Sequence, residues 1–502
     1  MGVQVPPGAL LFHLKSLALR TLALLLVGSS ALQATQVSLN GYYEGEFVAD
    51  KNRMPTPWNL WNPKHYFELK FTVHPYRHLE AFTSLNLLSN ANDARLYLNQ
   101  FHLSLKTSRS EALLFSREDR FWMDSPLLHL VQTERARDDN WGPKAEGFRG
   151  DFWNLAGFFG TAILYKFRTF PGEGYMARWG RSFGQHNYVA LMYLKKDWHV
   201  GPPPTFNEVS AFQAQWHLFG ATYFRLEAAR SLHPQVRLAQ QDPRWTLWGR
   251  WDLRNVALEA EIRYLTWRHL KLAGSVFALG PNFTDEFSNR FHPSFDHEFD
   301  RQGFAAELIY LLPYRAVNLI YKTRRFRTRY QHPVMLDHPY TTWWNYGELY
   351  AEFIGGVNAK VSLDSWKDHL GTWTHFLLEV IGENRAMRVK LQYMVKDIGV
   401  NTQGREVEYS IGERHLLGTE LRVNLTSTLQ FYGRAAWGLG TFRTWESVFF
   451  QLAYRRFQNT EVFVEYGEPG QTDGNLVQDW DFSDNPYVKP VDRLKVLVKF
   501  WF

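Results

Sequence analysis

Apolar and polar residues alternate along most of this chain with a period of two. Val37, Leu39, Gly41, Tyr43 and Phe47 share one parity, and Ser38, Asn40, Glu44 and Glu46 the other. Phe67, Leu69, Phe71 and Val73 repeat the pattern, as do Leu79, Ala81, Thr83, Leu85 and Leu87 after a short turn. Val256, Leu258, Ala260 and Ile262 stand against Glu259, Glu261 and Arg263, and Met387, Val389 and Leu391 against Arg388 and Lys390. Successive side chains of an extended strand point to opposite faces, so each segment predicts a strand with one apolar and one polar face. Helical periodicity is nowhere sustained, and the chain reads as all-β.

The connections carry a second pattern. His74–Arg77, Thr107–Ser110, Arg254–Asn255 and Gly355–Gly356 are short; Asp50–Pro63, Glu118–Ala145, Thr266–Gln302 and Gly467–Val491 are long. Short periplasmic turns against long extracellular loops are expected of a membrane β-barrel. Tracing the strands up and down by this rule predicts a single-domain transmembrane antiparallel up-and-down β-barrel over 36–502. It has about 24 strands (range roughly 18–26), with both ends periplasmic as an even count requires.

Composition agrees. Apolar residues make up 45% of 502 residues and aromatics 16%, yet the mean hydropathy is −0.35, so the apolar positions are dispersed rather than grouped. Lipid-facing and lumen-facing residues alternate in a barrel and give that average. The chain has no cysteine and so does not depend on disulfides. The net charge of +6 is spread along the chain, which argues against a nucleic-acid partner.

The two ends predict a route. Lys15 and Arg20, the apolar run Leu22 to Val27 and the small residues Gly28 to Ala31 read as a Sec signal peptide over 1–31, with cleavage after Ala31 or as late as Ala34. No separate plug domain precedes the first strand, so a TonB-dependent transporter is not expected. At the other end Leu494, Val496, Val498, Phe500 and Phe502 alternate with Arg493, Lys495, Leu497 and Lys499. This segment resembles the C-terminal β-signal of bacterial outer-membrane proteins. The resemblance implies recognition of Val498, Phe500 and Phe502 by the barrel assembly machinery, and a bacterial outer-membrane location among lipid and lipopolysaccharide.

The polar parity then becomes the inner wall, and its charges come in opposite-sign neighbours: Arg225 with Glu227, Glu259 and Glu261 with Arg263, and Glu420 with Arg422. Across strands, Glu379 should meet Arg388 and Lys390, Arg434 should stand beside Glu420, and Glu461 and Glu465 should face Lys495 and Lys499. Such pairs contribute a few tenths to about 1 kcal/mol each, and a charged lining also sets ion preference. Arg325, Arg327 and Arg329 take the outward parity beyond Tyr321, where they could contact lipopolysaccharide phosphates; folded inward they would attract anions. The loop containing Asp285, Glu286, His292, Asp296, His297, Glu298 and Asp300 offers hard-cation donors but meets no metal-ligand motif. Trp343, Trp344 and Trp437 suggest interfacial girdles, with stacking on sugars in the lumen as the other use of such rings. No catalytic motif and no cofactor motif occurs, so an enzyme is not expected.

These features point to a porin-like channel for small hydrophilic solutes, narrowed by its long loops. Two other readings stay open. Leu114-Phe115-Ser116-Arg117 followed by Gly147-Phe148-Arg149-Gly150-Asp151-Phe152 resembles a strand pair of the alginate-export family. That resemblance implies an 18-stranded export barrel for an acidic polysaccharide, with Arg117 and Arg149 in its lumen. The third reading is a structural barrel that sheathes a partner protein.

Overall fold

The computed structural model describes residues 36–51, 58–60, 63–90, 93–117, 122–131, 145–167, 172–198, 205–233, 246–247, 251–288, 290, 300–312, 316–328, 340–353, 355–367, 372–399, 413–439, 446–467 and 492–502. Twenty-five strands share one continuous antiparallel sheet. One of them, Asn59–Leu60, pairs only with Ala49 and Asp50 of the first strand, which leaves 24 that span the wall. Each spanning strand pairs with the next in sequence, and the last, Asp492–Trp501, pairs with the first, Gln36–Lys51, from Tyr42↔Trp501 to Lys51↔Asp492. Closure satisfies every strand edge, which is what allows strands to cross a membrane at all. A separate small hairpin joins Thr246–Leu247 to Trp251–Asp252.

Alternation translates directly into two surfaces. Leu39, Leu114, Leu164, Leu191, Leu363 and Leu391 stand exposed on the outside, and their sequence neighbours point into the barrel. So much exposed apolar surface has no place in water and forms the lipid-facing belt. No helix among the described residues is long and apolar enough to cross a membrane.

The eleven connections at the end holding Gln36 and Phe502 span two to four residues, whereas those at the other end range from two to 28. Two expected connections differ. Arg254–Asn255 is not a short turn of the periplasmic type, and Thr266–Gln302 is not a single loop. The short turn falls at Arg268–His269, and Leu270–Leu279 is a full strand. Two causes hid it. The turn lacks Gly, Pro and Asn, with Arg268 itself in the left-handed region at φ 53°. The strand is apolar on both faces, because Phe277 and Leu279 are buried on the inside.

The seam between first and last strands is built around one glycine. Gly41 and Phe502 exchange backbone hydrogen bonds of 2.8 and 3.1 Å, and the Phe502 ring lies where a Gly41 side chain would be. That ring also stacks on Phe67 and Phe500. On the inner face Lys495 reaches Glu46 at 3.2 Å and Lys499 reaches Glu44 at 3.8 Å.

Candidate functional site

The lumen is divided. Segment 122–131, from the expected long loop Glu118–Ala145, lies inside the wall, with Met123, Leu127, Leu128, Leu130 and Val131 buried. Met123, Leu128, Leu130 and Val131 join one cluster with inward residues of the wall such as Phe115, Ile163, Met176, Leu194 and Val209. Segment 280–288 enters beside it and places Phe283 and Phe287, both fully buried, in the same cluster.

Buried polar bonds pin both segments. Glu227, on the strand Thr222–Leu232 and wholly inaccessible, accepts from the Ser125 hydroxyl at 2.6 Å and from Gln213 Nε2 at 2.7 Å. Its other oxygen accepts from the backbone N–H groups of Leu127 and Leu128 at 3.0 and 2.8 Å. One carboxylate thus satisfies four donors, the arrangement that makes a buried charge tolerable. Gln213 donates to the Asp124 carbonyl as well, and Arg178 binds both Gln213 and Asp124. Asn207 holds the second segment by donating to the Thr284 carbonyl and accepting from the Glu286 N–H. Arg290 ties the two segments to the wall, donating to the Leu127 carbonyl at 2.9 Å and pairing with Glu259 at 3.0 Å. Between segment 122–131 and the wall a recess of about 390 Å³ is lined by Glu259, Glu261, Arg263, Arg290, Arg324 and Phe277.

The remaining charged candidates sit on the inner face in networks. Arg225 and Arg263 flank Glu261 at 3.7 and 3.8 Å. Glu379 lies 3.1 Å from Lys390 and 3.5 Å from Lys360. Arg388 reaches Glu420 at 3.9 Å, Glu420 is in register with the buried Arg434, and Arg422 lies over the Tyr432 ring. Glu465 meets Lys495 at 4.0 Å, whereas Glu461, in register with Lys499, instead pairs with Arg455 at 2.8 Å.

The two arginines of the alginate-export resemblance are not brought together. Arg149 faces inward but is engaged by Asp151 through two bonds of 2.6 and 3.0 Å, and donates to the Trp122 carbonyl. Arg117 follows the strand Ser110–Ser116 in the left-handed region at φ 59° and donates to the Leu98 carbonyl, which takes it out of the wall's alternation. The wall has 24 strands, not the 18 that resemblance implies.

Arg325 and Arg327 point outward near the long-loop end, with Arg325 over the Trp343 ring, while Arg329 lies outside the described residues. Of the cation-donor loop, Asp285 and Asp300 are buried and no cluster of three metal-type ligands occurs among the described residues; His292, Asp296, His297 and Glu298 lie outside them. Trp343 faces outward, but Trp344 faces the lumen. Ser125, Gln213, Asn207 and Arg290 carry no sequence motif, and only the return path of a loop brings them into these contacts.

Fold and surface define the class: a closed, transmembrane antiparallel β-barrel of the outer-membrane type. No family model matches the chain, and no curated protein matches it. Among solved structures, the siderophore receptor PirA from Pseudomonas aeruginosa is 8% identical over 92% of this chain and 80% of its own, with a TM-score of 0.47. The ferric enterobactin receptor PfeA in complex with BCV-L6 is 8% identical over 93% and 81%, with a TM-score of 0.49. The translocation pore of the P pilus usher PapC is 8% identical over 92% and 99%, with a TM-score of 0.45. The likeness is one of fold.

Proposed function

We propose that the chain is an outer-membrane channel for small hydrophilic solutes whose own infolded segments narrow the passage. The observation that carries this reading is the pair of segments 122–131 and 280–288 held inside the closed wall by buried polar bonds. Barrel diameter grows with strand number, so an unfilled barrel of this size would leak. Segments pinned on one sector narrow the lumen without a separate domain, and the opposite sector lines the remaining space with paired charges. The same segments take up room that a sheathed partner protein would need, which weighs against a structural sheath.

In this reading the export signal and the last strand serve delivery and assembly. Arg325 and Arg327 contact phosphate groups of the outer leaflet by charge-assisted hydrogen bonds. The chemistry asked of the chain is passage rather than reaction. Single-channel recording of the purified chain in planar bilayers tests it: ohmic steps are expected, and a silent, correctly folded barrel would refute the channel.

A further inference from the structure

Three tryptophans form a row on the inner wall. Trp344 of the strand Tyr340–Phe353 is in register with Trp366 of Val357–Lys367, and Trp366 with Trp373 of Thr372–Glu383. The same parity carries the lumen pair Lys360–Glu379 and the buried Ser362, which fixes the face. Trp366 and Trp373 stack with an interplanar angle of 17°, and Trp344 stacks on Tyr346 at 18°. Three adjacent strands span about 10 Å, so the rings make an aromatic shelf of about that length along the wall near the long-loop mouth. Acceptors border it. Asp364 takes the Trp344 indole N–H at 2.6 Å, Glu348 takes the Tyr346 hydroxyl, and His375 is in register with Asp364.

We infer that this shelf binds neutral saccharides, so that the proposed channel, on which the inference rests, is selective for sugars. A pyranose presents a flat face of C–H groups and a rim of hydroxyls. The C–H groups carry partial positive charge toward the negative face of an aromatic ring, and the rim donates to carboxylates at the ring edges. The carboxylates of Asp364 and Glu348 each spend part of their acceptor capacity on an aromatic donor and keep the rest for hydroxyls. Two alternatives fit less well. A quaternary ammonium is recognised by rings set around it as a cage, whereas these run in one row along a single wall. An acidic sugar would meet Asp364 and Glu348 as like charges.

Calorimetric titration of the detergent-solubilised whole chain with maltohexaose and with cellohexaose tests the shelf without requiring conduction. Saturable binding of at least one is expected, about tenfold weaker in the double variant W366A/W373A. W366F/W373F keeps flat apolar faces and should retain most of the affinity, and W343A, which removes an outward ring, should leave it unchanged. Absence of binding by both sugars, equal binding by W366A/W373A, or shelf-dependent binding of tetramethylammonium in place of sugar would each overturn the inference. A silent channel that still binds maltohexaose would remove the pore reading and leave the shelf; a conducting channel that binds neither sugar would do the reverse.

Discussion

Replacing Glu227 by alanine should release segment 122–131 from the wall. Ordering ten residues costs about 10–20 kcal/mol in backbone entropy. Burying Met123, Leu127, Leu128, Leu130 and Val131 returns about 8–15 kcal/mol. These two terms nearly cancel, so the polar anchor decides the outcome. Bonds to a charged acceptor contribute roughly 1.5–3 kcal/mol each, and Glu227 accepts four. At the low end that is about 6 kcal/mol. Even after part of it is recovered by water, a loss of about 4 kcal/mol lowers the docked fraction relative to the released one about a thousandfold. The strand itself keeps its backbone pairing, so the barrel should still close.

The absence of native cysteine makes the assay clean. A Met123→Cys reporter, buried at 3% exposure in the docked segment, should react slowly with a membrane-impermeant maleimide in the parent and much faster beside E227A. In bilayers E227A should give larger conductance steps. E227Q should fall between, since one carbonyl can still accept from Leu127 and Leu128 while its amide faces the Gln213 amide as donor against donor. Equal labelling rates in parent and E227A, with the barrel shown folded by its heat-modifiable migration, would refute the anchor argument.

A Gly41→Val substitution would set its Cβ 1.9 Å from the Phe502 ring, so the yield of heat-modifiable barrel should fall, and F502A in the same chain should restore part of it; wild-type yield of G41V alone would contradict this seam. Burial pushes the Asp285 carboxyl up, with Glu286 and Glu227 adding repulsion and the Phe287 N–H and Lys196 opposing it. A carboxyl raised above its unfolded value favours the folded state below that value, near 3.8, and the advantage fades as pH rises toward the raised one. Docking of segment 280–288 should therefore weaken with rising pH, and D285N should abolish the trend; the ratio of Ser288→Cys labelling rates in the two backgrounds across pH reads it. Reversing the outward charges in R325E/R327E should reduce co-purifying phosphorylated lipid without changing channel conductance, as phosphate analysis of the purified barrel would show.

Strand existence and parity were legible because lipid and lumen impose opposite demands on adjacent residues. Where both demands are apolar the signal fails, as at Leu270–Leu279, and where a turn forces an arginine into the left-handed region its position is lost. Charged wall residues could be read as neighbours along or across strands, but not as partners. Glu227 looked like a mate for Arg225 two residues away, yet its acceptors go to a loop about a hundred residues earlier, while Arg225 turns to Gln215 and Glu261. Likewise Trp344 and Trp366 are ordinary aromatics in sequence, and only register puts them side by side.

The failure of alternation is itself informative. Strands from Ser110–Ser116 round to Val317–Thr328 carry Leu113, Phe115, Ile163, Met176, Leu194, Phe277 and Phe326 on their inner face, all buried. A strand apolar on both faces must be covered on both. Lipid covers one side, so the other side needs cover from within, and segments 122–131 and 280–288 supply leucine, valine and phenylalanine side chains to do so. From Tyr340–Phe353 to the closing strand, the inner face carries more charge and aromatic rings, and among the described residues its buried apolar side chains form only two small clusters, Leu377 with Met394 and Leu416, and Ala453 with Phe463 and Leu497. The large apolar cluster on the wall from Ser110–Ser116 to Val317–Thr328 thus marks the sector where the two segments dock, and Glu227 marks where the first one is anchored.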